Sequence, residues 1–276
     1  MKPAVAQSPW RTLIPPATVA VPIVVHVPHA SVVIPPAIRA ELRLDDAALT
    51  AELGRLTDWR VDELFAPLAG LGASLFVNQL SRLVFDPERF TDDANEPAAV
   101  CGQGVVYTHT VGGQVLRQIS PAARAARIAA LYVPYHAALT ELVADSLTRF
   151  GRCLILDCHS FPRQLPPTAL DRNRVPPDIC LGTDSFHTPK GLVRELKQRL
   201  VAAGFAVKCD SPFAGALVPL PYYQLDRRVS SLMIEVRRDL YCDEANGAPT
   251  GDFATVSAKI VSALQAVLGL TPPSFG

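Results

Sequence analysis

Three apolar runs of this chain close on side chains that can ionise or bind metal. VPIVVHVPH (residues 21–29) ends on His29, RCLILDCHSF (152–161) carries Asp157 and His159, and SSLMIEV (230–236) carries Glu235, with Arg237 and Arg238 behind it. In open α/β sheets, ligands collect beyond the carboxyl ends of the strands. His29, His159 and Glu235 therefore fall into one candidate site. Mixed histidine and carboxylate donors suit a hydrolytic zinc centre, which takes three protein ligands and leaves a position for water. Such a metal polarises a carbonyl and acidifies water, while a nearby carboxylate such as Glu235 takes the proton. The third ligand is open on these grounds. No HxxE pair and no HExxH helix occurs, and TDWRVDEL offers both Asp58 and Asp62, one helical turn apart.

Each of these residues has a plainer reading. A histidine at a strand end often only satisfies its own hydrogen bonds. A carboxylate inside SLMIEV is buried, which is costly unless it is paired or functional. Arg237, two residues on and on the same strand face, is its available ion partner. His26 sits mid-strand and reads as a satisfied core residue, and His136 in YVPYHAAL (132–139) as a structural residue of a long helix. Cys158 points to the opposite face from His159, because neighbours on a strand alternate, and so reads as core rather than nucleophile. No GxSxG elbow and no phosphate-binding glycine loop is found.

The elements that would position this site alternate between strand and helix. Strands are expected at 21–29, ASLFVNQ (73–79), RLVFD (82–86), RCLILD (152–157), DICLG (178–182), FAVKC (205–209) and SSLMIEV. Helical spacing runs from Asp45 to Leu71, with a break near Pro67. A long amphipathic helix runs from Pro121 to Phe150, with Ser120 as N-cap and Gly151 as C-cap. Thr188 is expected to cap a helix that ends at Gly204, and DFATVSAKIVSALQAVLG (252–269) closes the chain. The pattern predicts an α/β fold with a central mixed, largely parallel sheet flanked by helices. No linker or repeat interrupts it, so residues 1–276 read as a single domain, with 1–20 as an N-terminal extension.

The chain has 276 residues, 49% of them apolar, which is enough for a sizeable core. Lys plus Arg equals Asp plus Glu, so the charge is formally zero and bulk attraction to nucleic acid is not expected. The N-terminus lacks a signal-peptide core, and no apolar run reaches the roughly 18 residues of a membrane span. Six cysteines without a CxxC pair read as reduced thiols. A cytoplasmic protein acting on a small molecule is expected, with its oligomeric state open. The proline-rich stretch PRQLPPTALDRNRVPP follows the DCHS strand and should border the site, with residues 162–176 as a candidate lid; PSFG at the C-terminus is open as lid, interface or neither.

VPHAS, TDWRVDELF, SRLVFDPER, YVPYHAAL, LDCHSF, DSPFAG and MIEVRRDLY occur here in the order seen in N-formylglutamate amidohydrolases. Over residues 21–245 the sequence resembles that family, which is similar in fold to zinc carboxypeptidases and aspartoacylases. The resemblance implies hydrolysis of N-formyl-L-glutamate to formate and L-glutamate, a late step of histidine breakdown. It implies one zinc ion on His29, Asp58 and His159, and Glu235 as general base and then proton donor. Arg82, with Arg89, Arg237 and Arg238, would hold the substrate's carboxylates, since arginine binds them bidentately. The plain reading of Arg82 is an ion pair with Asp86. Asp157 would hydrogen-bond a ligand histidine and fix its tautomer. Glu88 and Asp210 stand where the family pattern has Asn. That extra acid would disfavour a dianion, and Arg237 would offset it. Two other readings stay in play: a deacylase, carboxypeptidase or amidase for another N-acyl amino acid or peptide, and a metal-free carboxylate-binding protein on the same fold.

Overall fold

The computed structural model describes residues 8–165 and 175–271. Its centre is a pair of nine-residue parallel strands, β4 (Cys153–Phe161) and β7 (Val229–Arg237), almost wholly buried. Strand β2 (Ile23–Val27) lies parallel to β4 on the other side, and β3 (Ser74–Asn78) parallel to β2. The described sheet has seven strands in the order β1-β3-β2-β4-β7-β5-β6. Edge strand β1 (Trp10–Leu13) is antiparallel to β3, and β5 (Ile179–Gly182) antiparallel to β7. Strand β6 (Val207–Cys209) runs parallel to β5. The sheet is therefore mixed with a parallel centre, as the alternating pattern leads one to expect. Strand β1 lies inside what reads from sequence as an extension.

Strand alternation sorts the side chains by face. On one face Val25 and Val27, Leu156 and Cys158, and Leu232, Ile234 and Val236 form the main core. Packed there are α3 (Val61–Phe65), α6 (Lys190–Ala202) and α7 (Phe253–Leu268), which supply Leu64, Leu196 and Ile260. The opposite face is divided along its length. Val24, Cys153, Ile155 and Val229 pack under α5 (Val133–Phe150), against its Tyr135, Leu139 and Val143. Further along the same strands the residues turn polar: His26 on β2, Asp157 and His159 on β4, Glu235 on β7. Register brings them side by side, His26 opposite Asp157 and His159 opposite Glu235. Strand β4 thus does not stop at Asp157 as RCLILD suggests but continues to Phe161. The ionisable residues lie on a strand face rather than beyond its end, and Cys158 points into the core.

The helical run 45–71 is broken earlier than Pro67. Helix α1 (Pro36–Arg39) precedes α2 (Asp46–Leu56), capped by the Asp45 carboxylate, which accepts from the Ala48 amide. The chain then leaves the helix at 57–60, through a left-handed Arg60, before α3 and a 3-10 turn (Ala66–Leu71). That break presents Asp58. RLVFD forms turns instead of a strand, which brings Arg82 and Asp86 together four residues apart. The Pro121–Phe150 helix is built as α4 (Pro121–Arg127), a π turn (Ile128–Tyr132) and α5, with Ser120 as N-cap. Thr188 does not cap α6. Pro189 takes that position, and the Thr188 hydroxyl donates to the Ser231 carbonyl. Residues 166–174 of the proposed lid and the terminal PSFG lie outside the described residues. No described helix is long and apolar enough to cross a membrane.

The loop behind Asp58 depends on one glycine. Gly247 has φ +71°, and a Cβ there would sit 2.3 Å from the Trp59 ring. Gly247→Ala should lower stability by about 2–4 kcal/mol through left-handed strain and overpacking. Gly251→Ala, which meets nothing within 4 Å, is the control. Denaturant midpoints check this, and equal midpoints for the two variants would refute it.

Candidate active site

His29 follows β2, Asp58 sits in the break between α2 and α3, and His159 rises from β4. All three are at least 95% buried. The chain break at Asp58 is pinned to the end of β2, where the Asp58 amide donates to the His29 carbonyl at 3.0 Å. Three donor atoms converge. His29 Nδ1 and His159 Nδ1 are 3.3 Å apart, and Asp58 Oδ2 lies 3.1 Å from the latter and 3.7 Å from the former. Zinc bonds of about 2.0–2.1 Å in tetrahedral geometry put neighbouring donors roughly 3.3 Å apart. The two outward nitrogens are anchored on carboxylates: His29 Nε2 on Asp86 Oδ1 at 2.9 Å, His159 Nε2 on Asp157 Oδ1 at 3.1 Å. Each Nδ1 thus faces the other ring and Asp58, where a cation can replace the proton that otherwise bridges these atoms. The group could hold a metal ion. Burial would raise the Asp58 carboxyl, but the His159 and His29 rings outweigh it and hold it well below the usual carboxylate range. Of the two aspartates left open by sequence, Asp62 lies away from this group and pairs with Arg11 at 3.5 Å.

Beside the triad, Glu235 is 8% exposed, and its Oε2 is buried with no hydrogen-bond partner among the described residues. Burial, with repulsion from Asp58 and Glu88, pushes this carboxyl up to about 8 against the pull of His159 and Arg238. The ion pair with Arg237 that would make Glu235 merely structural is not formed. Arg237 is held instead by Asp239 at 2.6 Å and Asp178 at 2.9 Å. A cavity of about 1470 Å³ opens over the site, lined by the triad, Glu235 and Glu88 and by the four arginines Arg55, Arg82, Arg89 and Arg238, of which Arg55 pairs with Glu52 at 3.3 Å. Arg237 does not line it, so its expected contact with substrate is not supported by its position. Arg238 is 2% exposed; its Nη atoms donate to the Gly54 and Arg55 carbonyls, both at 3.0 Å, and its Nε has no partner among the described residues.

The sequence profile of N-formylglutamate amidohydrolases matches residues 21–242. The chain belongs to this family. A Pseudomonas aeruginosa protein named N-formylglutamate deformylase is 29% identical over 252 residues, 88% of this chain and 91% of the relative. One of the same name from Pseudomonas putida is 26% identical over 235 residues, 81% of this chain and 82% of the relative. In structure, the N-formylglutamate amidohydrolase of Ralstonia eutropha JMP134 shares the fold at a TM-score of 0.81. It is 24% identical, with 95% of this chain and 98% of that one covered. A protein of Agrobacterium tumefaciens follows at a TM-score of 0.63 and 21% identity, with 94% and 96% covered.

Within this member of the family, the arginine side of the cavity is organised by a residue that sequence reasoning treated only as an ion partner. Asp86 is fully buried and takes five donors. Arg82 Nε and Nη2 and the Tyr107 hydroxyl reach Oδ2 at 3.1, 2.7 and 2.9 Å. His29 Nε2 and the Glu88 amide reach Oδ1 at 2.9 and 3.0 Å. Burial alone would raise the Asp86 carboxyl; Arg82, Arg89 and His29 hold it well below its ordinary value. The plain reading of Arg82 as an ion pair with Asp86 is therefore correct, yet the guanidinium still borders the cavity. An acid directly after an apolar run, in LVFDP, is the signal that could have marked Asp86.

Two of the family departures resolve differently. Asp210 is turned away from the cavity: its carboxylate accepts the Thr183 amide at 2.7 Å and hydroxyl at 2.8 Å. Its expected repulsion of a dianion is thus not supported. Glu88 does face the cavity, with Oε1 at 3.2 Å from His159 Nε2. His136, read as structural, donates Nε2–H to the Pro87 carbonyl at 2.8 Å. Together with the Glu88 amide on Asp86, it clamps both sides of the Pro87–Glu88 peptide.

Removing one partner of a buried charge pair leaves the other uncompensated, at about 3–5 kcal/mol. Asp86→Asn should lose that much in denaturant unfolding, and Asp86→Asn combined with Arg82→Met should recover part of it. A loss below about 1 kcal/mol, the scale of a surface pair, would show that Asp86 does not organise this wall.

Proposed function

We propose that this protein hydrolyses the formyl amide of N-formyl-L-glutamate, giving formate and L-glutamate, with one divalent metal ion held by His29 Nδ1, Asp58 Oδ2 and His159 Nδ1. The observation that carries the reading is the pair of facing Nδ1 atoms, 3.3 Å apart and completed by Asp58. Zinc is the metal best suited to this nitrogen and oxygen set. The chemistry supplied there when metal is bound is Lewis acidity toward the amide carbonyl and acidification of water.

The chain's own residues do the rest. Glu235, its Oε2 free of partners, takes the proton of the attacking water and returns it to the departing amine nitrogen. A carboxylate with a free oxygen facing the cavity can act first as base and then as acid. Arg238 brings a buried positive charge with no carboxylate on it among the described residues, suited to a substrate carboxylate. Arg89 and the cavity edge of Arg82 serve the second carboxylate. Asp157 orients His159 through Nε2. All six cysteines are free thiols, which supports a reducing, cytoplasmic setting for this step of histidine breakdown.

A second reading has one observation behind it. The Glu88 carboxylate, 14% exposed, borders the cavity beside the ligand histidines. Its charge favours an N-acyl amino acid with one carboxylate over a dianion.

Purified protein should carry near-stoichiometric zinc and release formate from N-formyl-L-glutamate. His159→Ala should lose both, whereas Glu235→Gln should keep its metal and lose about 10²–10⁴-fold in kcat. Metal-free wild-type protein that stays inactive when zinc is supplied would sink the proposal. Glu88→Gln should lower KM for N-formyl-L-glutamate several-fold and leave KM for N-formyl-L-alanine nearly unchanged. Comparing the two substrates decides between the readings: N-formyl-L-alanine turned over better by wild type would favour the second.

A further inference from the structure

Behind His159 the polar network continues to a depth that neither metal binding nor proton transfer requires. Asp157 Oδ1 is shared by His159 Nε2 at 3.1 Å and His26 Nδ1 at 2.8 Å, and its Oδ2 accepts the Leu217 amide at 3.0 Å. His26 Nε2 in turn meets the Tyr135 hydroxyl at 2.7 Å. His26 and Tyr135 are wholly buried, Asp157 is 2% exposed and His159 is 4% exposed. The rings stand among Phe76, Phe85 and Trp10. Filling that position with an apolar side chain would suit the packing, so the imidazole needs another explanation.

Proton direction supplies one. The Tyr135 hydroxyl has no other hydrogen-bond partner among the described residues, so it satisfies its hydrogen by donating to His26 Nε2. His26 then carries its proton on Nδ1 and donates it to Asp157. The carboxylate, already holding the Leu217 amide, takes the second ring N–H from His159 Nε2. Glu88 Oε1, 3.2 Å from the same nitrogen, accepts that same proton and so favours the same tautomer. With the ring proton held at Nε2, Nδ1 of His159 is the nitrogen that would bind a metal beside His29 and Asp58.

The two ligand histidines are therefore anchored by different means. Asp86, behind His29, is charge-matched by Arg82. Asp157, behind His159, has no arginine or lysine partner among the described residues, and its ion-pair contacts are with His26 and His159 alone. A neutral donor chain from Tyr135 through His26 takes the place of the cation. The π turn Ile128–Tyr132 lies just upstream of Tyr135, a feature frequent where helices serve sites.

We infer that Tyr135 and His26 are positioning residues, which through Asp157 hold His159 in the Nε2–H tautomer and keep its Nδ1 free to bind metal. The inference rests on the metal reading above. The test is zinc affinity, measured by competition with a chromophoric chelator on protein stripped and reloaded, beside the thermal midpoint of each metal-free variant. Outer partners of this kind are worth about 10–100-fold in metal affinity. His26→Leu, which removes both ring nitrogens, should weaken zinc by that factor, and Tyr135→Phe by several-fold. His26→Asn, whose amide N–H can stand where Nδ1–H stood, should recover most of the loss, and the cobalt-substituted visible spectrum should follow the same order.

If wild-type protein binds zinc and His26→Leu binds it equally well, with only a lower melting point, the network is structural and the inference is overturned. The same holds if His26→Asn is no better than His26→Leu. Wild-type protein that takes up no zinc would overturn the metal reading, and this inference with it, before any variant is compared.

Discussion

A carboxylate withdrawn from water must be met by charge or by hydrogen-bond donors, or it takes up a proton. Asp58, Asp86, Asp157 and Glu235 are all nearly or fully buried around one point, and the site depends on how each meets that demand. Asp86 is met by Arg82 together with three further donors, Asp157 by two imidazoles and an amide, Asp58 by the rings of His29 and His159. Glu235 is the exception, with one oxygen unpartnered. Its surroundings raise its pKa instead of lowering it. Four carboxyl groups around one cavity, two on the sheet face and two on loops, are thus driven apart in proton affinity by their neighbours, as the proposed division between metal-holding or anchoring groups and a proton-exchanging one requires.

The sheet makes this arrangement affordable. A strand is apolar on one face whatever the other face carries, and β4 uses that freedom fully. Leu156 and Cys158 seal the main core while Asp157 and His159 point to the cavity. The second face is split along its length, with Val24, Ile155 and Val229 packed under α5. Beyond them the face is polar, and there the Tyr135 hydroxyl meets His26. The apolar half fixes the register, and the register places His26 against Asp157 and His159 against Glu235. A one-residue slip would turn every one of these groups into the hydrophobic core.

This logic also explains what could be read from the amino-acid order. The apolar runs of β2, β4 and β7 were legible because burial on both faces leaves a continuous signal, and their interruption by His29, His159 and Glu235 stood out against it. The alternation that sends Cys158 inward was equally legible, since it needs only period two. RLVFD misled because its apolar residues are buried by turns packed on the core, and composition alone does not separate a buried turn from a short strand. Arg237 misled for a related reason: sharing a strand face with Glu235 brings it toward the same side, but Asp178 and Asp239 hold it at the strand's end. Asp210 is deflected by a left-handed backbone that sequence spacing does not reveal. Asp86 and Tyr135 act through partners 57 and 109 residues away in sequence, contacts that exist only once the sheet and α5 are assembled.

Charge matching also orders the arginines as partners for an anionic substrate. Arg82 gives two N–H groups to Asp86, and Arg89 lies 3.7 Å from Asp86 and 3.9 Å from Glu96. Much of their positive field is already answered by protein carboxylates. Arg238 is fixed by two backbone carbonyls, which orient a guanidinium without neutralising it. Arg55 is likewise answered, by Glu52 at 3.3 Å, so of the four Arg238 offers the largest unmatched charge, and it does so three residues after Glu235 on the same chain segment. Under the proposed reaction, a substrate carboxylate drawn to Arg238 is held on the side of the cavity that also carries the proton-transfer group. The remaining arginines then serve a second carboxylate against the opposition of Glu88, so binding strength should fall mainly on the carboxylate that Arg238 holds and discrimination on the other.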